Sequence, residues 1–290
     1  MAGNLLDNFA VITCVSNPIR YKSRYALYKK FETMVQSCGV KFYTIEQAFG
    51  ERPYELTQAD DPFDIQVRSI DELWHKENML NIAIQHAVHR DPSIKYIAWI
   101  DCDVFPMRDP KEWFLETWHA LQHYEIVQMF EYSMDLDPKY NQYGSTREGF
   151  ISKYIKKGFQ PPVQPGRWPD KEKAYYGYGN FSQGHTGYAF AASVDALNKI
   201  GGILDIAILG AGDWHFCHAL VGQMKMSIPW QNEIPYTNAL MQYQEVVERY
   251  VKRDIGFVPG TLYHYFHGRK TDRKYWDRWK ILSDNKYNPI

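Results

Sequence analysis

The chain has 290 residues and a net charge of −1, from 33 basic and 34 acidic side chains. That is ample length to bury a core, with no overall electrostatic pull toward nucleic acid or membrane. No apolar run approaches the roughly 20 residues of a membrane helix, and the opening Met-Ala-Gly-Asn-Leu-Leu-Asp-Asn lacks the basic start of a signal peptide, so a soluble, cytoplasmic protein is expected. Cys14, Cys38, Cys102 and Cys217 show no paired spacing and are expected to be reduced. Aromatic residues make up 16% of the chain, more than a core needs, which suits stacking surfaces for sugars or bases.

Phe9 to Val15 is a short β-branched apolar run that stops at Ser16-Asn-Pro18, predicting a first strand whose end is a ligand position. Between Arg20 and Lys30 lie five basic residues and no acid, read as solvated surface or as a docking face for phosphate. Apolar residues recur at helical spacing from Tyr21 to Ser37, and Cys38-Gly39 closes the element. Val40 to Ile45 reads as a second strand ending at Glu46, and strand, helix, strand implies a right-handed parallel unit. A polar loop follows, then a helix from about Glu72 to His89.

That helix leads into the most informative segment. Apolar residues run from Ile94 to Ile100, interrupted only by Lys95, and end in Asp101-Cys102-Asp103. Such a run reads as a strand buried on both faces of a parallel sheet, and ligands in these sheets bind at the carboxyl ends of strands. Two acids placed there repel each other and lose hydration, so a divalent cation is expected; hard oxygen ligands suit magnesium or manganese. Ile126 to Phe130 looks like another strand, whereas Asp135 to Gly184 is polar, Tyr-rich and punctuated by Pro and Gly, which predicts a long irregular segment. Thr186 to Ala192 returns to apolar and small residues, followed by a short helix at Val194 to Ile200 and the turn Gly201-Gly202. Leu209-Gly-Ala-Gly-Asp213 then precedes a helix from Trp214 to Val221; a polar helix from Asn238 to Lys252, a strand-like Ile255 to Val258, and His264-Tyr-Phe-His267-Gly268 complete the pattern.

The order and spacing of these motifs resembles the nucleotide-sugar glycosyltransferases of the GT-A fold, closest to family 2-like and galactosyltransferase-like members and to compact forms found in phage and large viruses. The resemblance touches most of the chain from Val11 to Arg273. It implies one α/β domain over residues 1–290, with a mostly parallel central sheet, a nucleotide-binding half over 1–130 and a donor-sugar and acceptor half over 131–290. It implies a host cytoplasm if the protein is viral. By the family pattern Asp103 is a direct metal ligand, with Asp101 on ribose, metal or metal-bound water. The ion is manganese or magnesium, bridging the diphosphate of a UDP-sugar. A downstream histidine completes the metal shell, and His264 and His267 both qualify. Thr13 and Ser16 match the first strand end, and Glu46 matches an acid that reads the uracil imide. Lys76 and Asn81 match residues that face the nucleotide or its phosphates. Five apart, they point about 140° from each other around a helix, so one site must lie between their directions to receive both. Asp213 matches the family's catalytic base for inverting transfer. Gly184, His185 and Gly187 are expected to line the donor sugar, and Trp214 could stack on a pyranose face.

Two other readings fit parts of the pattern. Asp-x-Asp-x-Val after an apolar strand also matches the nucleophile motif of haloacid dehalogenase-like phosphatases, with Asp101 attacking phosphorus. That family places the motif on its first strand. A metal site with many aromatics would equally serve a sugar-binding module without turnover. Asp213 could also simply cap the helix that begins at Trp214. The acceptor is a glycan or a hydroxymethylated base in DNA, the latter suggested by the basic aromatic stretch Arg269 to Lys280.

Overall fold

A computed structural model describes residues 5–159, 184–228, 234–268 and 275–289. A seven-stranded sheet organises them, in the order β3 (Asp64–Ser69), β2 (Lys41–Phe49), β1 (Phe9–Ser16), β4 (Tyr96–Ile100), β9 (Ala189–Ser193), β6 (Ile126–Gln128) and β10 (Ile255–Phe257). All neighbours are parallel except β9, which runs antiparallel to both β4 and β6. This is the α/β, mostly parallel architecture expected from the sequence. Alternation explains its two-sided burial: Ala10, Ile12, Tyr43, Ile45 and Ile97 face one apolar cluster, while Phe9, Val11, Val15, Phe42 and Ala98 face the other.

Helices cover both faces. On the second face lie α1 (Lys22–Ser37), which stops where Gly39 turns to φ +71°, and α3 (Pro110–Ala120). The start of α3 is set locally, because the Asp109 carboxylate accepts from the amides of Lys111 and Glu112 at 2.9 and 3.0 Å, and Pro110 needs no amide partner. The first face carries α2 (Lys76–Arg90), α5 (Val194–Ile200), α6 (Gly212–Leu220) and α7 (Ile234–Tyr250). Ser193 caps α5 through the Ala196 amide, and Gly201 ends it at φ +80°. The helix α8 (Tyr275–Asp284) follows the third gap. Among the described residues no helix is long and apolar enough to cross a membrane. All four cysteines are free.

Three elements depart from the sequence expectation. The expected loop before α2 contains β3, an edge strand whose alternating polar residues need a partner before they read as β. The segment from Asp135 onward is not irregular throughout: β7 (Tyr132–Asp135), β8 (Arg147–Glu148) and the amphipathic helix α4 (Phe150–Lys157) occupy its first part, while 160–183, including most of Tyr175 to Gly184, lie outside the described residues. The helix expected from Glu72 begins at Lys76, which places Lys76 and Glu77 in its first turn. A second, four-stranded sheet, in the order β5 (Val104–Pro106), β11 (Thr261–His264), β7, β8, was not legible at all.

Candidate active site

The small sheet assembles a group of side chains that could hold a metal ion. Beyond β4 the chain turns at Asp101, whose carbonyl accepts from Val104 at 3.2 Å, and enters β5. Antiparallel pairing sets His264 opposite Val104, and the Tyr265 amide donates to the Asp103 carbonyl at 2.9 Å. Strands 160 residues apart in sequence are thereby stitched together, bringing Asp103, His264 and His267, all buried, into one group whose ligand atoms lie within 4.8 Å of one another. His267 Nε2 stands 3.1 Å from one Asp103 oxygen and His264 Nε2 3.9 Å from the other. Neighbouring ligands around a small octahedral cation with bonds of about 2.1 Å are separated by about 3 Å, so these three atoms can share one ion with modest adjustment. The sequence left His264 and His267 unranked; both reach Asp103.

The fit is supported by Asp135, which sequence reasoning missed. One Asp135 oxygen accepts from His264 Nδ1 at 2.8 Å and from the Tyr188 hydroxyl at 2.9 Å, and the other accepts from Arg147 at 2.9 Å. A carboxylate accepting from Nδ1 leaves Nε2 turned toward Asp103, the arrangement of a metal-ligating histidine with its supporting acid. Tyr188 joins this support to the acidic turn. Its ring lies between His185 and His264, with centroids 3.9 and 4.7 Å away, and its carbonyl accepts from the Asp101 amide at 2.8 Å. It holds φ +81°, a left-handed conformation that costs a tyrosine energy and persists only where the surroundings enforce it. Burial, partly offset by Arg147, drives the Tyr188 hydroxyl well above its ordinary pKa, so it remains a donor. The only sequence signal for Asp135 is an acid closing a short strand.

Lys76 reaches this site by an ion pair with Asp101. Burial works against the Lys76 charge, but Asp101, Cys14 and Glu77 together outweigh it and the pKa rises. Burial likewise raises Asp101, against Lys76 and with Asp103 adding its own repulsion. Cys14 lies nearby; burial pushes its thiol up to about 12, opposed by Lys76, so it stays a neutral thiol. Asn81, on the other hand, points away. Its amide donates to the Ile203 carbonyl and accepts from the Ile203 amide, each at 2.8 Å, and it pins the turn after α5. Of the two, Lys76 reaches the acidic turn, whereas Asn81 is turned to the loop after α5.

Two further expected nucleotide contacts are committed to the fold. Thr13 is fully buried in β1 and donates its hydroxyl to the Ile100 carbonyl at 2.8 Å. Glu46 does not end its strand, since β2 continues to Phe49, and its buried carboxylate accepts from the amides of Glu55, Leu56 and Thr57 and from the Thr57 hydroxyl at 2.7–3.0 Å. Ser16 is half-buried at the end of β1, where the sequence placed it.

Opposite the acidic turn, Asp213 meets the Gly184 to Gly187 segment. Thr186 donates its hydroxyl to Asp213 Oδ2 at 3.0 Å, and a Cβ on Gly187 would fall 2.8 Å from that oxygen, so only glycine allows the approach. Gly184 is held at φ +95° with a Cβ position 2.8 Å from the Gly149 carbonyl, which excludes side chains on two grounds. His185 accepts from the Gly187 amide at 3.2 Å and stacks on Tyr188. Asp213 is not the cap of its helix: α6 begins at Gly212, Ala211 occupies the cap position, and the Asp213 side chain turns to Thr186. Trp214 packs over His218, with ring centroids 4.3 Å apart. The negative charge of Asp213 contributes to the raised pKa of Asp101, which places both acids in one electrostatic neighbourhood.

No protein-family model matches the chain, and no curated protein sequence matches it. Among solved structures the chain is similar to a mutant Drosophila beta-1,4-galactosyltransferase 7 in complex with manganese, UDP-Gal and xylobiose, at 10% identity and a TM-score of 0.43, over 92% of this chain and 74% of that one. It is similar to a glycosyltransferase involved in glycosylation of the major capsid of PBCV-1, at 12% identity and a TM-score of 0.36, over 91% and 96% of the two chains. A Bacillus anthracis glucose-1-phosphate thymidylyltransferase in complex with sucrose aligns at 9% identity and a TM-score of 0.38, over 88% of each chain.

Proposed function

We propose that the chain is a divalent-metal-dependent glycosyltransferase that moves a sugar from a UDP-sugar to an acceptor hydroxyl with inversion. One observation carries the reading: the same edge of the sheet holds a three-residue metal group, Asp103 with His264 and His267, and a clamped carboxylate, Asp213, with Lys76 and Asp101 beside them. A bound manganese or magnesium ion would neutralise charge growing on the departing diphosphate. Asp103, His264 and His267 would hold it, with Asp135 fixing the His264 ring. Lys76 supplies a fixed positive charge for phosphate oxygens when Asp101 turns to ribose or to the ion. Asp213 takes the proton of the acceptor hydroxyl as that oxygen attacks the anomeric carbon, and Thr186 orients it. Gly187 keeps the approach to Asp213 open, and His185 stands at the edge of the donor-sugar space.

The phosphatase alternative asks for its acidic motif after the first strand, whereas Asp101 follows the fourth. A glycan suits the acceptor role; hydroxymethylated DNA rests on the basic stretch Arg269 to Lys280, of which 269–274 lie outside the described residues. The test is UDP release from a panel of UDP-sugars with manganese, with and without glycan acceptors. Asp103→Asn is expected to lose manganese dependence and activity together, and Asp213→Asn to lose transfer while still binding the donor. Unchanged transfer in both variants refutes the proposal.

A further inference from the structure

The first turn of α2 sends two ionisable side chains to opposite walls of the site. Lys76 goes to Asp101. Glu77, buried, goes to the loop ahead of α6, where a Cβ on Gly212 would fall 2.5 Å from its Cδ and Oε1. The Glu77 carboxyl therefore rests on the backbone of the residue immediately before Asp213. Thr186 and Gly187 press on Asp213 from the other side. The loop between carries Gly210 at φ +96° and Ala211 at φ +73°, and an alanine stays in that region only where its neighbours over-determine it. Glu77 carries no functional signal in the sequence, because an acid in the first turn of a helix is ordinary dipole complement.

We infer that Glu77 is a positioning residue for Asp213, fixing the direction of that carboxylate through Gly212 and setting the charge it works against. The inference rests on the transferase reading above. Burial raises the Glu77 carboxyl to about 7, with Lys76 opposing and Asp213 adding to the rise. The groups that face it are Lys76 and, across the site, Asp101 and Asp213, with Cys14 from β1 and Tyr236 from α7. When Glu77 ionises, its negative charge favours a proton arriving on Asp213; when it is neutral, that help is absent.

Glu77→Gln keeps the shape and removes the titration. With the donor that supports transfer, kcat of the unsubstituted protein is expected to rise through about pH 7, and the variant to match it at pH 6 but fall about threefold to tenfold behind at pH 8, with donor KM within twofold. Superimposed pH profiles, or a uniform loss at every pH, would overturn the inference. A second measurement needs neither donor nor acceptor: the carboxyl carbon-13 resonance of Glu77, assigned by its disappearance in Glu77→Gln, is titrated in the unsubstituted protein and in Asp213→Asn. Removing the neighbouring charge is expected to lower the Glu77 midpoint, and an unmoved midpoint refutes the coupling. Absence of transfer with every donor counts against the transferase reading, whereas an unmoved midpoint counts against Glu77.

Discussion

Asp135→Ala tests whether the metal group depends on an acid that touches no metal. In the structure this carboxylate accepts from three donors, His264 Nδ1 at 2.8 Å, the Tyr188 hydroxyl at 2.9 Å and Arg147 at 2.9 Å. Truncation frees the His264 ring to rotate or change tautomer, and outer-shell acids of this kind are worth about tenfold to hundredfold in metal affinity, or about 1.4–2.7 kcal/mol. It also leaves the buried Tyr188 hydroxyl without the acceptor for its proton, with a stability loss of about 1–3 kcal/mol. The two effects separate by temperature: manganese affinity, followed by the paramagnetic resonance of free ion, is measured well below the melting transition. A dissociation constant within twofold of the unsubstituted value, while His264→Ala abolishes binding, would show that Asp135 serves only the fold. Asp135→Asn keeps one acceptor oxygen for His264 and is expected to recover most of the affinity but not the Arg147 contact.

Gly187→Ala sets a methyl group 2.8 Å from Asp213 Oδ2, so transfer is expected to fall about tenfold to hundredfold while circular dichroism and donor affinity hold; a rate within twofold refutes the close approach. Glu46→Ala strands four donors of the 55–57 turn and is expected to cost about 3–5 kcal/mol in urea unfolding, a loss below about 1 kcal/mol showing that the turn holds itself. Burial lowers His215 to about 3 and His218 to about 4, so both are neutral in the fold. The unfolded chain binds those protons first, near pH 6.5; the stability they give is full above that pH and is lost as the pH falls toward 4. His218→Phe, within a cluster of Phe150, Phe159 and Trp214, is expected to lessen the drop in Tm between pH 7 and pH 5 by about 2–4 °C, and parallel melting curves would argue against a buried neutral ring.

The elements whose two faces are both apolar are legible from the residues alone. Val11 to Val15, Val40 to Ile45 and Ile97 to Ile100 read as buried strands because a parallel sheet with helices on both sides needs such runs. An acidic pair at the end of one of them marked the site. Asp213 stands out for a different reason, the glycines ahead of it, of which Gly212 meets the Glu77 carboxyl at close range. Which polar groups face each other is set by the folded chain. Glu46, Thr13 and Asn81 carry residue types suited to a nucleotide, but in each case a neighbouring turn or strand takes up their hydrogen-bonding capacity first. Asp135, Tyr188 and Glu77 show the converse, ordinary residues given meaning by partners 53 to 135 positions away, as in the bond from Tyr188 to Asp135 and the Glu77 carboxyl resting on Gly212. The joining of Asp103 to His264 and His267 likewise depends on β5 and β11, strands of three and four residues that have no β signal until they pair. Periodicity reports how a segment meets the core, whereas a site is assembled from long-range pairings that leave no periodic trace.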